Sequence, residues 1–492
     1  MNIMNKIKKY LPTPMMLLAF LLSFATIYAV GSPILQDNDI GWHIAAGDLI
    51  RTQGSLPKFD PWSFTGGDQV WYNLSWLWDV VLSFINDKTG IEGLFIFAIL
   101  CPSLAVTLLL ASLRKRYAIG NNALIFMGMI TTYCMLEFAN ARPQIVGMFF
   151  ALAFHHILHI NRPSIASKKS VKLLFILPLL IVLWVNIHGS FFVSFIILGA
   201  FGLESIYYRQ YKWLARLLAV SAVCVLALLV NPYGIHVIDA VLRTTNSVIA
   251  KYIMEWQPFV FGNILGASAW ILAFICLSNF KGSNATIADK ILAIMWLVAT
   301  FFSIRNMGFM AILGAPYLAS NLPADNQQDK NTKKLAAWIN NIKFSPAIMA
   351  VIILAIPISY ILLPFLGSEH YKYKVEESPV PAIDFIRQNY SGKRILNDYD
   401  LGGKIIYESK GKLPVFIDGR AGTAYSEKLL TDFLGFFNLD KDWQQIIEPY
   451  NIDVIMVANY SNFSKAYERG SYHDYWQQVY HDKIISIYTK KD

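Results

Sequence analysis

Two carboxylates stand two residues apart in Asp37-Asn38-Asp39, just after the first long apolar run of the chain. A pair at this spacing can share a divalent cation or take the proton of a substrate hydroxyl. The same residue types also make ordinary solvated turns, so the pair alone decides nothing. It has company, however. Glu137, Asn140 and Arg142 follow one apolar run, Asn186 and His188 a second, and Asn231-Pro232-Tyr233-Gly234 a third. Glu255 with Trp256, and Arg305 with Asn306, occupy two further breaks. Ionisable groups near membrane depth are costly and tend to mark functional cavities, whereas helix capping and snorkelling would leave them at the water interface. His155, His156 and His159 invite a metal reading because positions 155 and 159 share a helix face, but they lie at the opposite end of their run and read as packing or interfacial residues.

The elements that must position these residues are membrane helices. Of 492 residues, 55% are hydrophobic and 15% charged, against about 25% charged in a soluble domain. The apolar residues fall in blocks of roughly 17–25, the length of a bilayer-spanning helix. Eleven spans are expected: 14–34, 92–113, 121–138, 143–160, 172–187, 190–207, 214–231, 263–279, 288–303, 306–320 and 346–366. The stretch 74–87 reads as an amphipathic helix on the outer surface or a short span. The N-terminal run follows Lys6, Lys8 and Lys9, and Gly31-Ser32-Pro33 is a poor cleavage site, so it reads as an uncleaved first span.

With the N-terminus in the cytoplasm, the inside segments carry 19 Lys and Arg and the outside loops before residue 366 carry 7. That bias sets the orientation, and an odd number of spans puts the C-terminus outside. The polar residues above then gather on the outer face. The formal charge of +9 is distributed as membrane topology requires, which argues against nucleic acid. Cys101, Cys134, Cys224 and Cys276 all lie in apolar blocks, so the C-terminal region carries no disulfide.

The expected organisation is a membrane domain over 1–366, with a first outer loop over 35–91, and an extracytoplasmic α/β domain over 367–492. In the latter, strands are expected at Arg394–Leu396, Val415–Ile417, Ile452–Ala458 and Ile484–Tyr488, with helices near 382–389, 426–437 and 441–448. Asp398, Asp400 and Asp418-Gly419-Arg420 read as turn residues or as the lining of a ligand cleft.

Several segments resemble a group of bacterial membrane proteins related to the GT-C glycosyltransferases. They are Asp37-Asn38-Asp39-Ile40-Gly41-Trp42-His43 with Gly47 and Ile50, Gly54-Ser55-Leu56-Pro57, and Phe59-Asp60-Pro61-Trp62-Ser63-Phe64-Thr65. Trp71, Asn73, Trp76, Leu77 and Trp184-Val185-Asn186-Ile187-His188-Gly189 belong to the same resemblance. So do Asn397-Asp398-Tyr399-Asp400 with Gly402-Gly403, and Phe416-Ile417-Asp418-Gly419-Arg420. That superfamily includes protein mannosyltransferases, oligosaccharyltransferase catalytic subunits and the enzymes that add aminoarabinose to lipid A. Leu74 and Ser75 stand where the group often has His and Glu, so any chemistry of that pair is missing here.

The resemblance implies a multi-helix fold with acids in the first outer loop and a polyprenyl phosphate-sugar donor at the outer face of the bacterial cytoplasmic membrane. Asp39, with Asp37, is then the expected general base, or the pair holds a divalent cation such as Mg or Mn. Arg142, His188 and Arg305 are expected on the donor phosphate, where charge develops. Glu137, Asn186, Glu255, Trp42 and His43 are supporting candidates. The acceptor is a glycan, lipid or protein. A polysaccharide polymerase or ligase, and a non-catalytic scaffold or transporter of envelope glycans, are the competing readings. The charge count yields a direct test. A reporter fused after residue 366 is expected to work outside the cytoplasm, and one fused near Lys333 inside; the reverse pattern overturns the orientation.

Overall fold

The computed structural model describes residues 14–30, 37–67, 69–138, 140–165, 172–258, 284–322 and 378–491. The spans expected at 263–279 and 346–366, and residues 31–34 of the first, lie outside the described residues, as does the side chain of Glu137.

Over the described residues the expected apolar runs are helical, and two helices that were not among the expected spans, Ile40–Gln53 and His236–Asn246, stand beside them. In chain order these are α1 Pro14–Val30, α2 Ile40–Gln53, α3 Trp76–Tyr117, α4 Asn121–Met135, α5 Gln144–Ile160, α6 Ile176–Val185, α7 Val193–Tyr207, α8 Tyr211–Ala227, α9 His236–Asn246, α10 Ile287–Phe302 and α11 Ala315–Ser320. Among the described residues, Trp76–Tyr117 and Gly189–Tyr207 are long and apolar enough to cross a membrane; shorter apolar helices of 10–17 residues accompany them.

The helix expected at 74–87 and the span expected at 92–113 are two helices that abut within α3, separated by non-helical backbone at Gly90 (φ 68°, ψ −173°). Glycine accepts that positive φ without the Cβ penalty other residues would meet, so one helix stops and the next starts with no intervening loop. One expectation needs correction: the first outer loop begins as helix α2. Its buried residues Ile40, His43, Ile44, Gly47 and Ile50 recur at helical spacing, a pattern present in the sequence and overridden by its loop-like flanks.

The C-terminal region is a small α/β unit. Strands β1 Ile395–Asn397, β2 Val454–Ala458, β3 Trp476–His481 and β4 Ile485–Lys490 form a sheet in the order β1-β2-β4-β3. β1 pairs with β2 in parallel, Ile395 opposite Val454, and the other pairs are antiparallel. Residues of β1 and β2 are buried on both faces, as parallel strands covered by helices must be. Helices α12 Val380–Asn389, α13 Tyr399–Glu408, α14 Glu427–Asn438, α15 Trp443–Ile447 and α16 Asn462–Glu468 supply the cover. The strand expected at Val415–Ile417 does not join the sheet. Val415 instead bridges Ser63 in the N-terminal region, so its backbone pairs with the first loop.

That cross-pairing is one part of a broad union between the two regions. Val415 N donates to Trp62 O at 3.0 Å, Phe64 N to Val415 O at 3.2 Å, and Tyr72 N to Thr423 O at 3.2 Å. Trp42, Trp62 and Trp71 belong to the C-terminal core rather than to the helical core. Where α2 meets α13, a Cβ on Gly41 would stand 2.2 Å from Gly403 O, so only glycine permits this approach. At the centre is Arg420. Its Nη1 lies 2.7 Å from Asp60 Oδ1 and its Nη2 2.6 Å from Asp418 Oδ2, with all three side chains fully buried. The guanidinium also lies 4.9 Å from the Trp62 ring and 4.8 Å from that of Trp71, and Tyr425 Oη donates to Asp418 Oδ2 at 2.7 Å.

Removing one member of a buried ion pair strands the other, at a cost of about 3–5 kcal/mol. Arg420→Met is therefore expected to lower the unfolding temperature of the purified chain in detergent and to expose the first loop to protease. An unchanged melting curve would show that this union does not depend on Arg420.

Candidate active site

One cavity of about 1160 Å³ lies between the helical region and the C-terminal unit. Its lining comes from one set of helix ends. Leu74 and Ser75 precede α3, Arg142, Pro143 and Gln144 open α5, His188, Gly189 and Ser190 precede α7, and Ser303 and Arg305 follow α10. Asp39, Trp42 and His43 come from the start of α2, and Asp398, Asp400, Lys404 and Tyr460 from the C-terminal unit. Asp39, Arg142, His188, Arg305, Glu255, Trp42 and His43 are thus brought together by elements far apart in sequence. Asp37 and Asn186 are not among the lining residues.

Arg142 is the hub. Its Nε donates to Asp37 Oδ2 at 2.7 Å and Oδ1 at 3.0 Å. Its Nη1 lies 3.2 Å from Asp39 Oδ2 and 3.4 Å from Glu255 Oε2. Burial by itself would lower the guanidinium pKa, but the charges of Asp37, Asp39 and Glu255 outweigh it and hold the group well above its ordinary value. Asp37 also accepts the Asp39 N–H at 2.8 Å, which ties the two acids together. Asp39 Oδ1 accepts from Trp42 Nε1 at 3.2 Å. Gly419 backs this carboxylate so closely that a Cβ there would overlap Asp39 Oδ1. Burial first, and the neighbouring Asp37, raise the Asp39 pKa despite Arg142, so this carboxylate is more basic than an ordinary aspartate.

A second imidazole in the cavity lining is His43. Its Nδ1 is 2.6 Å from Asp79 Oδ1, and Asp79 Oδ2 accepts from Asn73 Nδ2 at 2.7 Å. A carboxylate on Nδ1 places a ring proton there and fixes the orientation of the ring. The sequence analysis named Asn73 only within the family resemblance and missed Asp79. A lone acid inside Trp76-Leu77-Trp78-Asp79-Val80, fully buried in the structure, was the available signal.

Two cationic or donor groups face these acids. Arg305 Nη1 is 3.4 Å from Glu255 Oε1 and its guanidinium lies 4.7 Å from the Trp256 ring. His188 Nδ1 accepts the Ser190 N–H at 3.2 Å and lies 2.7 Å from Ser190 Oγ. The ring proton therefore resides on Nε2. Removal from bulk water first, and then the Arg305 charge, push His188 down to about 3, so it is a neutral donor at physiological pH. Asn186 is a brace: its Oδ1 accepts from Trp76 Nε1 at 2.8 Å and its Nδ2 donates to Val230 O at 2.8 Å.

The divalent cation expected at Asp37 and Asp39 does not fit this arrangement. Both acids are turned onto Arg142, and among the described residues no group of three or more His, Cys, Asp and Glu converges as a metal site. His155 likewise holds no metal partner set; its Nε2 is 2.8 Å from Asp289 in helix packing remote from the cavity lining. Asp398 is not a turn residue. It is buried, its Oδ2 accepts the Ala458 N–H at 2.7 Å, and burial raises its pKa to about 7.

No family model matches this sequence, and no curated protein matches it by sequence. Solved structures do match. The oligosaccharyltransferase of Archaeoglobus fulgidus in its apo form superposes with a TM-score of 0.58 over 90% of this chain and 69% of that one, at 13% identity. The same organism's AglB, solved with an inhibitory peptide and a dolichol-phosphate, matches over the same shares with a TM-score of 0.58 at 14% identity. ArnT from Cupriavidus metallidurans, bound to undecaprenyl phosphate, matches with a TM-score of 0.53 over 95% of this chain and 97% of that one, at 14% identity. The chain has the fold of the GT-C glycosyltransferases.

The His188 environment makes a pH prediction. An unfolded histidine titrates near 6.5, while the folded ring is pushed down to about 3. Below about 6.5 the unfolded chain binds a proton that the folded one does not, so this residue erodes stability as pH falls from about 6.5 toward 3 and contributes no slope above. Histidine-selective ¹⁵N NMR is expected to show His188 neutral and Nε2-protonated from pH 8 to 5; titration within that range would refute the assignment.

Proposed function

We propose that this chain is a GT-C type membrane glycosyltransferase. It moves a sugar from a polyprenyl phosphate carrier to an acceptor hydroxyl at the outer face of the bacterial cytoplasmic membrane. The observation that carries the reading is the single cavity in which a basic carboxylate, Asp39, shares the lining with Arg305 and the neutral donor His188. A volume of about 1160 Å³ accommodates a sugar phosphate and an acceptor together. The fold adds support, since solved neighbours carry dolichol-phosphate and undecaprenyl phosphate.

In this reading the acceptor hydroxyl attacks the anomeric carbon of the donor while Asp39 takes its proton. The bond from that carbon to the phosphate oxygen breaks, and the phosphate leaves with the electron pair. Arg305 and His188 Nε2–H stabilise the charge that develops on it. Arg142, expected on the phosphate, already faces three carboxylates and acts by holding Asp39. His43, oriented by Asp79, hydrogen-bonds a second hydroxyl of the acceptor or donor sugar. Eleven spans, an inside N-terminus and an extracytoplasmic C-terminal domain over 367–492 complete the proposal. The cavity lining, drawn from one set of helix ends, supports the part of this reading that gathers the site on a single face.

Loss of a general base costs about 10²–10⁴-fold in rate. Asp39→Asn is expected to lower transfer of labelled sugar from a polyprenyl phosphate donor by that factor in membranes, with the folded chain retained. Transfer at the unmodified rate would remove Asp39 from the chemistry.

A further inference from the structure

Asp37, Asp39 and Glu255 come from two distant segments, yet their carboxylates all face one guanidinium. Carboxylate oxygens are also the ligands a hard divalent cation takes, but here they are spread along Arg142 and do not converge as a metal site. Arg142 Nε and Nη1 lie 2.7–3.4 Å from Asp37 Oδ2, Asp39 Oδ2 and Glu255 Oε2, which are distances of charge-assisted hydrogen bonds. The arginine is placed there by local backbone. Ala141 adopts a left-handed φ of 55°, and Pro143 follows as the cap of α5, so Arg142 is held between a turn and a helix start. Its side chain is 16% exposed and that of Asp37 4%.

We propose that the Arg142 guanidinium is the built-in cation of this site, so that the three carboxylates are organised without a divalent metal. A guanidinium and a divalent ion exclude each other here, because they compete for the same oxygens and repel. The consequence for chemistry is specific. A metal offers open coordination positions to substrate oxygens, whereas arginine offers only directed N–H bonds and never loses its charge. Substrate hydroxyls therefore meet Asp39 directly, and phosphate charge falls to Arg305 and His188. The chemical meaning rests on the glycosyl-transfer reading above, but the ion-binding claim does not.

The test uses the full chain purified in detergent after chelation, with Mn²⁺ as the probe followed by electron paramagnetic resonance. The wild-type chain is expected to bind no Mn²⁺ at this site. Arg142→Met frees the three carboxylates and is expected to gain one site, about 100-fold tighter than any binding by the wild type. Adding Asp39→Asn to Arg142→Met should abolish the gain. Stoichiometric Mn²⁺ binding by the wild type that is lost in Asp39→Asn would overturn the proposal, and this arm does not depend on the Arg142 variant folding. A folded Arg142→Met, verified by its melting curve, that gains no site would overturn it as well. Where membranes give measurable transfer, wild-type activity should survive EDTA. Loss of that activity with recovery by Mg²⁺ or Mn²⁺ would overturn the metal-free site while leaving the glycosyltransferase reading intact.

Discussion

A guanidinium with no exposed surface must find its counter-charges inside the protein, and Arg420 finds them in two places at once. Asp418 is two residues away, but Asp60 comes from the first loop, hundreds of residues earlier. Trp62 and Trp71 enclose the group, so a large apolar area is removed from water along with the charge. The pair thereby fixes the first loop on the C-terminal unit. The catalytic candidates inherit their positions from this union. Gly419, between Asp418 and Arg420, presses against the Asp39 carboxylate, and Gly41 presses against Gly403. Asp39 is thus held by a joint between two regions, and not by the loop to which its sequence neighbours belong.

The helical region has a matching constraint at its other end. Asp289, at the start of α10, is fully buried and accepts from Arg116 at the end of α3 and from His155 near the end of α5. Beside it, Arg162 pairs with Glu204 at 2.7 Å, and Glu204 also accepts the Ala288 N–H at 2.9 Å. Every charge in this group has an opposite partner, as burial demands. The helices are therefore tied together at one set of ends. At the opposite set they part around the cavity, where carboxylates, arginines and histidines meet with room between them. A bundle locked at one end and open at the other is a physical solution to holding a polar site among apolar helices without splitting the bundle.

Much of this was legible in the chain itself. Hydrophobic blocks announce helices because a 3.6-residue period and a bilayer's thickness are local properties. The polar residues at the breaks between blocks, Asp39, Arg142, His188 and Arg305, could be grouped because helices that run alternately up and down bring every second break to the same face. The helical period of Ile40, His43, Ile44 and Gly47 was also present, yet the flanking polar residues made the segment read as loop. What composition and spacing could not decide was pairing. Asp37 and Asp39 look like cation ligands until Arg142 is found bonded to them. Asp418-Gly419-Arg420 looks like a turn until Asp60 completes its charge balance. Asp79 looks like one polar residue of an amphipathic helix until His43 is found on its carboxylate. Sequence by itself determined which residue types stand at the breaks between apolar blocks. Only the tertiary structure decided which charge each of them meets, because electrostatic partnership falls off over a few ångströms and depends on contacts between segments that sequence distance does not encode.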